Sequence, residues 1–421
     1  MDTITKAAKL MEKNQTDEAI ALLEDYSSVA DDEEKFMIVE LYHQWGYIQK
    51  AIDLLQALEK KYPMESDIKI MLADMLIEIE RDEAAIELLD QVKEDDEAYV
   101  QALVQLADLY QAQGLFEVAE QKLLLAKRKE PNEIIIDFAL GELLFSIGEY
   151  QRAITYYERI LPHESQVANV AIYDRLAEAY AATGKYEDAL QIFRMSDNKN
   201  PDTLFKYGLT AFQANRNDIA IKAWEQVLKI DPYYHTVYLY LAKAYANEKM
   251  PDKAYDIAKK GLSVDEFNKE LYFIAGKLAY TLRRYDESKD FVRKAVALDP
   301  DYKEGVLFLI ELFKEEEKFA DIIDLINEIQ QSGAQDPLYE WELARAHREI
   351  ESYADALKHY REAYNTLNKD SDFLKEYAYF LVEEGRMDAA IPVFESYLQL
   401  EPLDSETEEY LARLKQFQDD E

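Results

Sequence analysis

The sequence contains no cysteine and few residues that interrupt helices, with 11 glycines and 10 prolines among 421 residues. Without cysteine, disulfide bonds, cysteine–zinc sites, iron–sulfur clusters and a thiol nucleophile are excluded. No apolar run approaches the roughly 18 residues of a membrane span, and residues 1–14 lack the apolar core of a signal peptide, so we predict a cytoplasmic protein. The scarcity of breakers and the 32% of charged residues are typical of an all-helical chain.

Positive charge is also scarce. The chain has 48 lysines and arginines but 86 aspartates and glutamates, which gives a net charge of −38. Such a chain repels nucleic acid and anionic lipid surfaces, so we expect neither nucleic acid nor a membrane as a partner. The excess of carboxylates has two explanations: it keeps an extended protein with much surface soluble, or it attracts basic partners.

Motifs for catalysis and cofactor binding are missing as well. The sequence has no phosphate loop, no GxGxxG after a strand, no HExxH and no GxSxG. None of its five histidines pairs with another at helical spacing beside an acidic ligand, and the acidic clusters lack the alternation of a calcium loop. We therefore predict that the protein is not an enzyme and has no catalytic residues, no cofactor and no metal site.

What the sequence does contain is a repeated pattern, clearest between Tyr173 and Pro201. Ala177 and Ala189 are small residues twelve apart, placed where two helices touch. The second of these positions recurs, mostly every 34 residues, at Ala51, Ala85, Ala119, Ala153, Ala189, Ala220, Ala254, Ser288, Ile322, Ala356 and Ala390. The first recurs twelve residues earlier, at Val39, Ala73, Ala107, Gly141, Ala177, Gly208, Ala242, Gly276, Ile310, Ala344 and Ala378.

Two further sets of residues are in phase with these positions. Turn glycines are found at Gly46, Gly114, Gly148, Gly184 and Gly385, and repeat-closing prolines at Pro63, Pro131, Pro201, Pro232, Pro300 and Pro402. The combined pattern resembles the tetratricopeptide-repeat (TPR) family, in the style of bacterial cytoplasmic proteins built only from such repeats, over nearly the whole chain. The resemblance implies an all-α, right-handed superhelical solenoid of about twelve helix–turn–helix repeats with a C-terminal capping helix.

The repeats divide the chain into a degenerate first repeat or cap at residues 1–31, a continuous array at 32–402, and a capping helix with a short acidic tail at 403–421. Ile310 and Ile322 replace small residues at both contact positions, and a polar loop follows at 331–335. These departures indicate a bend near residue 330. The capping helix places Tyr410, Leu411, Leu414 and Phe417 on one side.

The resemblance also implies a concave groove, lined by the first helices of successive repeats, that binds peptides or helices of partner proteins. Candidate apolar anchors at groove positions are Phe36, Ile70, Val104, Phe138, Phe145, Phe205, Phe212, Phe273, Tyr280 and Trp341. Candidate charged contacts are Glu40, Asp74, Asp108, Glu142 and Glu178 in the earlier repeats and Lys243, Lys277 and Arg345 in the later ones. The alternative for the carboxylates is that they bond to neighbouring helices or face water.

These features predict a non-catalytic scaffold or adaptor that binds a basic or amphipathic segment of another protein, as a peptide or helix, in the groove. The alternative is a regulator whose groove binds a small signalling peptide and changes the superhelical pitch, as in the pheromone-receptor branch of the family. Some family members hold an acidic chaperone tail with a Lys and Asn clamp. The matching positions here are Phe36, Glu40 and Asp74, so this clamp is absent.

Overall fold

A computed structural model describes residues 2–196 and 199–419 of the chain. Within them the backbone forms 25 helices and one two-stranded hairpin. Contacts group the helices into two compact units, with the boundary between Ala214 and Asn215. No helix in the described residues is both long enough and apolar enough to cross a membrane. The predicted all-α architecture of consecutive helix pairs is confirmed.

The first unit holds helices α1 to α13. In chain order they are α1 Asp2–Glu12, α2 Thr16–Ser27, α3 Asp32–Gln44, α4 Ile48–Lys61, α5 Ser66–Glu78, α6 Asp82–Leu89, α7 Tyr99–Ala112, α8 Phe116–Lys129, α9 Ile134–Ser146, α10 Tyr150–Ile160, α11 Ile172–Ala182, α12 Tyr186–Met195 and α13 Pro201–Gln213. The hairpin, β1 Gln166–Val167 and β2 Val170–Ala171, lies between α10 and α11.

The second unit holds helices α14 to α25. They are α14 Asn217–Ile230, α15 His235–Asn247, α16 Pro251–Val264, α17 Lys269–Thr281, α18 Tyr285–Leu298, α19 Lys303–Glu315, α20 Phe319–Gln331, α21 Pro337–Glu349, α22 Tyr353–Leu367, α23 Ser371–Glu383, α24 Met387–Leu400 and α25 Ser405–Asp419.

Small residues let the two helices of a repeat approach closely. The contact positions on the second helices, from Ala51 to Ala390, are all completely buried. In the ninth repeat Ser288 takes this position, and its hydroxyl donates a hydrogen bond to the carbonyl of Gly276 over 2.8 Å. A Cβ atom on Gly276 would lie only 2.5 Å from Cγ2 of Val292, so no side chain fits there without movement. The two columns of small residues thus set the helix spacing.

The turn between the two helices requires a left-handed residue in every repeat. The five turn glycines have φ between 70° and 81°. The same turn position in the other repeats also has a positive φ, between 55° and 61°, although it carries Asn14, Glu80, Asn215, Lys249, Arg283, Glu317 and Glu351. Asparagine adopts this conformation readily, but each glutamate, lysine or arginine costs about 1–2 kcal/mol there. The repeat geometry therefore overrides the local preference of the residue.

We expect Glu80→Gly to raise the free energy of unfolding by about 0.5–1 kcal/mol. Glycine removes the left-handed strain, and its greater freedom in the unfolded chain offsets part of that gain. Chemical denaturation of the full chain measures the change. Glu87→Gly is the matched control, because Glu87 is exposed within α6, where glycine should lower stability by about 1 kcal/mol. Equal destabilisation by both substitutions would show that Glu80 is not strained in its left-handed conformation.

The hairpin is a departure from the helical prediction. It occupies the place where the 34-residue spacing stretches. Its turn residues, Ala168 and Asn169, have φ of 46° and 64°, as a two-residue hairpin turn requires. Val167 is buried against the core of α10 and α11. The usual sequence signal for such a turn is a glycine, which is absent here.

The C-terminal helix α25 covers the end of the last repeat. Leu411 and Leu414 are buried, and the ring of Tyr410 lies 5.2 Å from that of Tyr379 and 5.7 Å from that of Phe394. The side chain of Phe417, which we predicted to share this face, lies outside the described residues. The helix thus shields apolar side chains of α23 and α24 from water.

The tenth repeat accommodates its two isoleucines. Ile310 and Ile322 are both fully buried. The backbones of α19 and α20 approach each other closely over a shorter stretch than the two helices of any other repeat that lies within one unit. The larger side chains at the contact account for this shorter stretch of close approach. The bend near residue 330, and the division into cap, continuous array and capping helix, stay predictions.

Candidate functional site

The small contact residues determine which side chains of the first helices face outward. Val39, Ala73 and Ala107 are buried against the second helix of their own repeats. The next residue along an α-helix is rotated by about 100°, so it turns away from this contact. In α3, α5 and α7 that residue is a carboxylate, and Glu40, Asp74 and Asp108 are exposed. We call these three residues the acidic stripe.

The carboxylates of the acidic stripe have no ion-pair partner in the part of the chain that the structure describes. Within the described residues, no basic nitrogen lies within 4.0 Å of any of the three. Asp74 accepts a hydrogen bond from the side-chain amide of Gln105 over 2.6 Å, and the neighbouring Glu78 pairs with His43 at 3.0 Å. The stripe is therefore charge that the fold itself leaves uncompensated.

Two members of the stripe are also partly desolvated. Burial raises the pKa of Asp108 above its ordinary value of 3.8. Burial raises the pKa of Asp74 as well, the charge of Glu78 raises it further, and His43 opposes both effects. These side chains touch water, yet protein surrounds them closely enough to disfavour the ionised form. A cation placed there would relieve this cost.

We expect Asp108→Asn to raise stability at neutral pH and to have a smaller effect near pH 3. When the pKa of a carboxyl is higher in the folded than in the unfolded protein, the folded protein loses stability as the pH rises through the two pKa values. Removing the charge therefore raises stability only at a pH above both values. Denaturation curves at both pH values measure the difference. Glu87→Gln, which removes a charge from the exposed face of α6, should show no such pH dependence, and an identical response of both variants would refute the desolvation.

Glu142 and Glu178 differ from the acidic stripe although they occupy the same groove position. Glu142 accepts a hydrogen bond from the Tyr157 hydroxyl over 2.6 Å and pairs with Nε of Arg175 at 3.0 Å. Glu178 pairs with Lys206 at 2.6 Å. Of the five candidate carboxylates, two are thus bound to neighbouring helices, which is the alternative considered for them, and three have no ion-pair partner among the described residues.

The apolar candidates divide in a similar way. Ile70, Phe273 and Trp341 are at most 8% exposed and belong to the cores of their repeats, so they present little free surface, which corrects their expected exposure. The guanidinium of Arg175 lies 5.2 Å from the ring of Phe145 and covers it in part. The partly exposed side chains are Phe36, Val104, Phe138, Phe145, Phe205, Phe212 and Tyr280.

The Arg345 side chain is held inside the second unit. Its Nε lies 2.9 Å and 3.0 Å from the two carboxylate oxygens of Glu376, its Nη1 lies 3.0 Å from Glu342, and its guanidinium stacks 3.9 Å from the ring of Trp341. Glu376 also accepts hydrogen bonds from the indole of Trp341 and the hydroxyl of Tyr360. Arg345 is thus part of an internal network and not a free groove cation, contrary to the expectation from sequence.

Lys243 and Lys277 have a different environment. Lys243 lies 5.7 Å from the ring of Tyr240, and within the described part of the chain no carboxylate lies within 4.0 Å of it. Lys277 lies 5.3 Å from the ring of Phe273 and 3.9 Å from Glu304, at the limit of an ion pair. Both lysines line one depression of about 550 Å³ formed by α15, α17 and α19. We call it the second-unit pocket.

The pocket includes polar residues outside the groove positions predicted from the sequence, among them Asn247 and Tyr302. Asn247 lies four residues after Lys243, and this spacing is the signal that would have found it. Tyr302 lies in the loop before α19, and its ring packs against that of Phe273 with the ring centroids 5.2 Å apart. Among the described residues, no group of three or more His, Asp or Glu side chains is arranged to hold a metal ion.

Family comparisons agree with this architecture. Models of YpiA-like tetratricopeptide repeats match residues 111–165, and models of YpiA-like C-terminal tetratricopeptide repeats match residues 337–404. The TPR repeat-containing protein YpiA of Bacillus subtilis (strain 168) is 39% identical over 414 residues, which cover 98% of each chain. The chain belongs to the YpiA-like TPR family. General tetratricopeptide-repeat models match residues 144–209, 202–232 and 269–302 of this TPR protein.

More distant similarities extend to other TPR proteins. TPR repeat-containing protein MJ1428 of Methanocaldococcus jannaschii is 22% identical, over 85% of this chain and 74% of its own. Among solved structures, YrrB, described as a TPR protein with an unusual peptide-binding site, is 18% identical with a TM-score of 0.39, over 44% of this chain and 95% of its own. TPR proteins are generally protein-interaction scaffolds, and that general role applies to this chain.

Proposed function

We propose that the protein is a non-catalytic scaffold whose first unit binds a basic or amphipathic segment of a partner protein along the acidic stripe. The observation that supports this most directly is the uncompensated charge of Glu40, Asp74 and Asp108, which recurs once per repeat on α3, α5 and α7. Most other groove carboxylates and cations in the described chain have internal partners, as Glu142, Glu178 and Arg345 show.

Charge and apolar surface have separate tasks in this proposal. The fields of the three carboxylates add along one face, so they attract and orient a cationic segment. Phe36 and Val104 lie one helical turn before Glu40 and Asp108 and are partly exposed, so they supply apolar contact. A partner ammonium or guanidinium group near Asp108 would also lower the raised pKa of that carboxyl. Binding should therefore weaken as the pH falls towards the pKa that Asp108 has in the unbound protein.

The test uses a fluorescein-labelled amphipathic helical peptide with lysines on one face and leucines on the other. The triple variant Glu40→Gln, Asp74→Asn, Asp108→Asn should bind it at least tenfold more weakly at low salt, and the salt dependence of its affinity should be smaller. The matched control is Glu83→Gln, Glu87→Gln, Glu117→Gln, which removes the same charge from exposed positions on second helices.

The two triple variants separate a site from a general charge effect. If the control variant loses as much affinity as the stripe variant, only the total charge of the chain matters and the groove site is wrong. If the stripe variant binds like the parent at low and high salt alike, the acidic stripe is not the binding surface. Circular dichroism should show unchanged helicity in both variants.

A further inference from the structure

One side of helix α8 carries apolar side chains that the repeat itself does not use. Packing within the repeat buries Leu123 on another side of this helix. Leu124 is 37% exposed, and together with Val118 and Leu125 it lines an open depression of about 660 Å³. All the residues that line this depression belong to α8, so no other described helix contributes a wall to it. Its apolar side chains are therefore accessible to another molecule.

Most charges of α8 are paired, and the two that are not have opposite signs. Four of its six charged side chains form ion pairs with other parts of the chain: Glu120 with Arg152, Lys122 with Asp90, Lys127 with Asp137 and Lys129 with Glu94. The other two, Glu117 and Arg128, are exposed and have no ion-pair partner within the described residues.

These two free charges lie on the side of α8 that carries the exposed leucine. Glu117 is in the first turn and Arg128 in the last, eleven residues later. Eleven residues are about three helical turns, so both side chains point in nearly the same direction, with Leu124 between them. We call the surface formed by Glu117, Leu124, Leu125 and Arg128 the α8 face.

The order of the charges determines which partner fits the α8 face. A uniformly acidic helix would meet Glu117, and a uniformly basic helix would meet Arg128, so each would encounter a like charge. An antiparallel helix that begins with an acid and ends with a base places opposite charges at both ends. The α8 helix of a second copy of this chain has this order, and a two-fold axis makes the same contact twice.

We propose that two copies of the protein associate through the α8 face, with their α8 helices antiparallel about a two-fold axis. Glu117 of each copy pairs with Arg128 of the other, and Leu124 and Leu125 of both copies pack together near the axis. The interface lies on a second helix and goes beyond the proposed function, since it does not involve the acidic stripe.

The contact is small, so the dimer should be weak. A single pair of helices buries less than the roughly 1,200 Å² of a standard stable interface, and we expect a dissociation constant of about 10–100 µM. The net charge of −38 opposes association over long distances. At about 0.15 M salt the screening length is about 8 Å, so the pairs in direct contact outweigh the remote charges.

The experiment is analytical ultracentrifugation of the full-length protein at about 5–500 µM in about 0.15 M salt. The parent should change from monomer to dimer over this range. Glu117→Arg and Arg128→Glu should each weaken association at least tenfold, because like charges then meet at both ends of the contact. The double variant with both substitutions should dimerise like the parent, since it exchanges the two charges and restores both pairs.

An equimolar mixture of the two single variants gives the sharpest result. Each variant alone opposes like charges, but together they combine a basic α8 face with an acidic one, so the mixture should form a heterodimer at least as strong as the parent dimer. Asp252→Arg is the matched control, because Asp252 is exposed at the same repeat position of α16 and has no ion-pair partner within the described residues. It should dimerise like the parent.

Three outcomes would overturn the proposal: a parent protein that stays monomeric up to about 500 µM, a dimer that the single reversals leave unchanged, or a mixture of the two variants that stays monomeric. Circular dichroism should show unchanged helicity in every variant. The triple variant of the acidic stripe should dimerise like the parent, because its three residues lie on first helices. Failure of the α8 face and failure of the stripe therefore remain distinguishable.

Discussion

Replacement of Arg345 by methionine is expected to lower the free energy of unfolding by about 2–4 kcal/mol. The substitution leaves Glu376 without its guanidinium partner while the carboxylate stays in a partly buried site. Removing one member of a buried ion pair typically costs about 3–5 kcal/mol, and the partial exposure of Arg345 reduces that figure. Chemical denaturation of the full chain measures the loss.

The pH dependence of this loss identifies its cause. Burial by itself would raise the pKa of Glu376, but hydrogen bonds and charge from Arg345, with help from Tyr360 and Trp341, hold it below its ordinary 4.5. A carboxyl with a lowered folded pKa contributes stability above its unfolded pKa and loses it as pH falls through the folded value. The deficit of Arg345→Met should therefore be largest at neutral pH and should shrink as the pH falls through the lowered pKa of Glu376, where that carboxylate takes up a proton.

Two variants control for simpler explanations. Arg348→Met removes an arginine one turn later on α21, whose 2.8 Å pair with Glu383 is exposed, and it should cost less than about 1 kcal/mol. Arg345→Lys keeps the charge but loses the fork that contacts both carboxylate oxygens, so it should restore only part of the stability. A pH-independent deficit in Arg345→Met would show that lost packing on Trp341, and not the ion pair, is responsible.

Replacement of Gly276 by leucine is expected to be comparably destabilising, at about 3 kcal/mol or more. Even a Cβ atom there would lie 2.5 Å from Cγ2 of Val292 and 3.2 Å from the carbonyl oxygen of Ser288, and the second of these is backbone. Helices α17 and α18 must separate, which breaks the hydrogen bond from Ser288 to Gly276. Lys277→Leu is the control, because it adds a leucine at the exposed neighbouring residue of the same helix.

The damage from Gly276→Leu should spread by neighbour contacts. In a repeat protein each unit packs mainly on the adjacent ones, so hydrogen exchange should accelerate first in α15 to α20 and only later in α21 to α25. Exchange that accelerates equally in all helices of the second unit would show that the unit unfolds as a single cooperative block.

The sequence determined the repeat architecture of this protein. The 34-residue period, with small residues at positions such as Ala177 and Ala189, indicates repeated helix pairs, because each pair needs the same close contact. The same period placed Glu40, Asp74 and Asp108 on the outward face of their helices, because the position of a residue along a helix determines the direction of its side chain. Left-handed turns at positions such as Glu80 and Arg283 escaped prediction, since these residues do not favour that conformation and only the repeat imposes it.

Only the tertiary structure decided which groove charges are free. Glu142 and Asp108 occupy the same position in their repeats, yet Glu142 is paired because Arg175, from the next repeat, reaches it. Arg345 and Lys243 likewise share one position, but a carboxylate 31 residues after Arg345 holds it in place. Charge pairing depends on side-chain reach between repeats, and the period of the sequence carries no information on that reach. Contacts between neighbouring repeats therefore decide which charged groove side chains remain available to a partner.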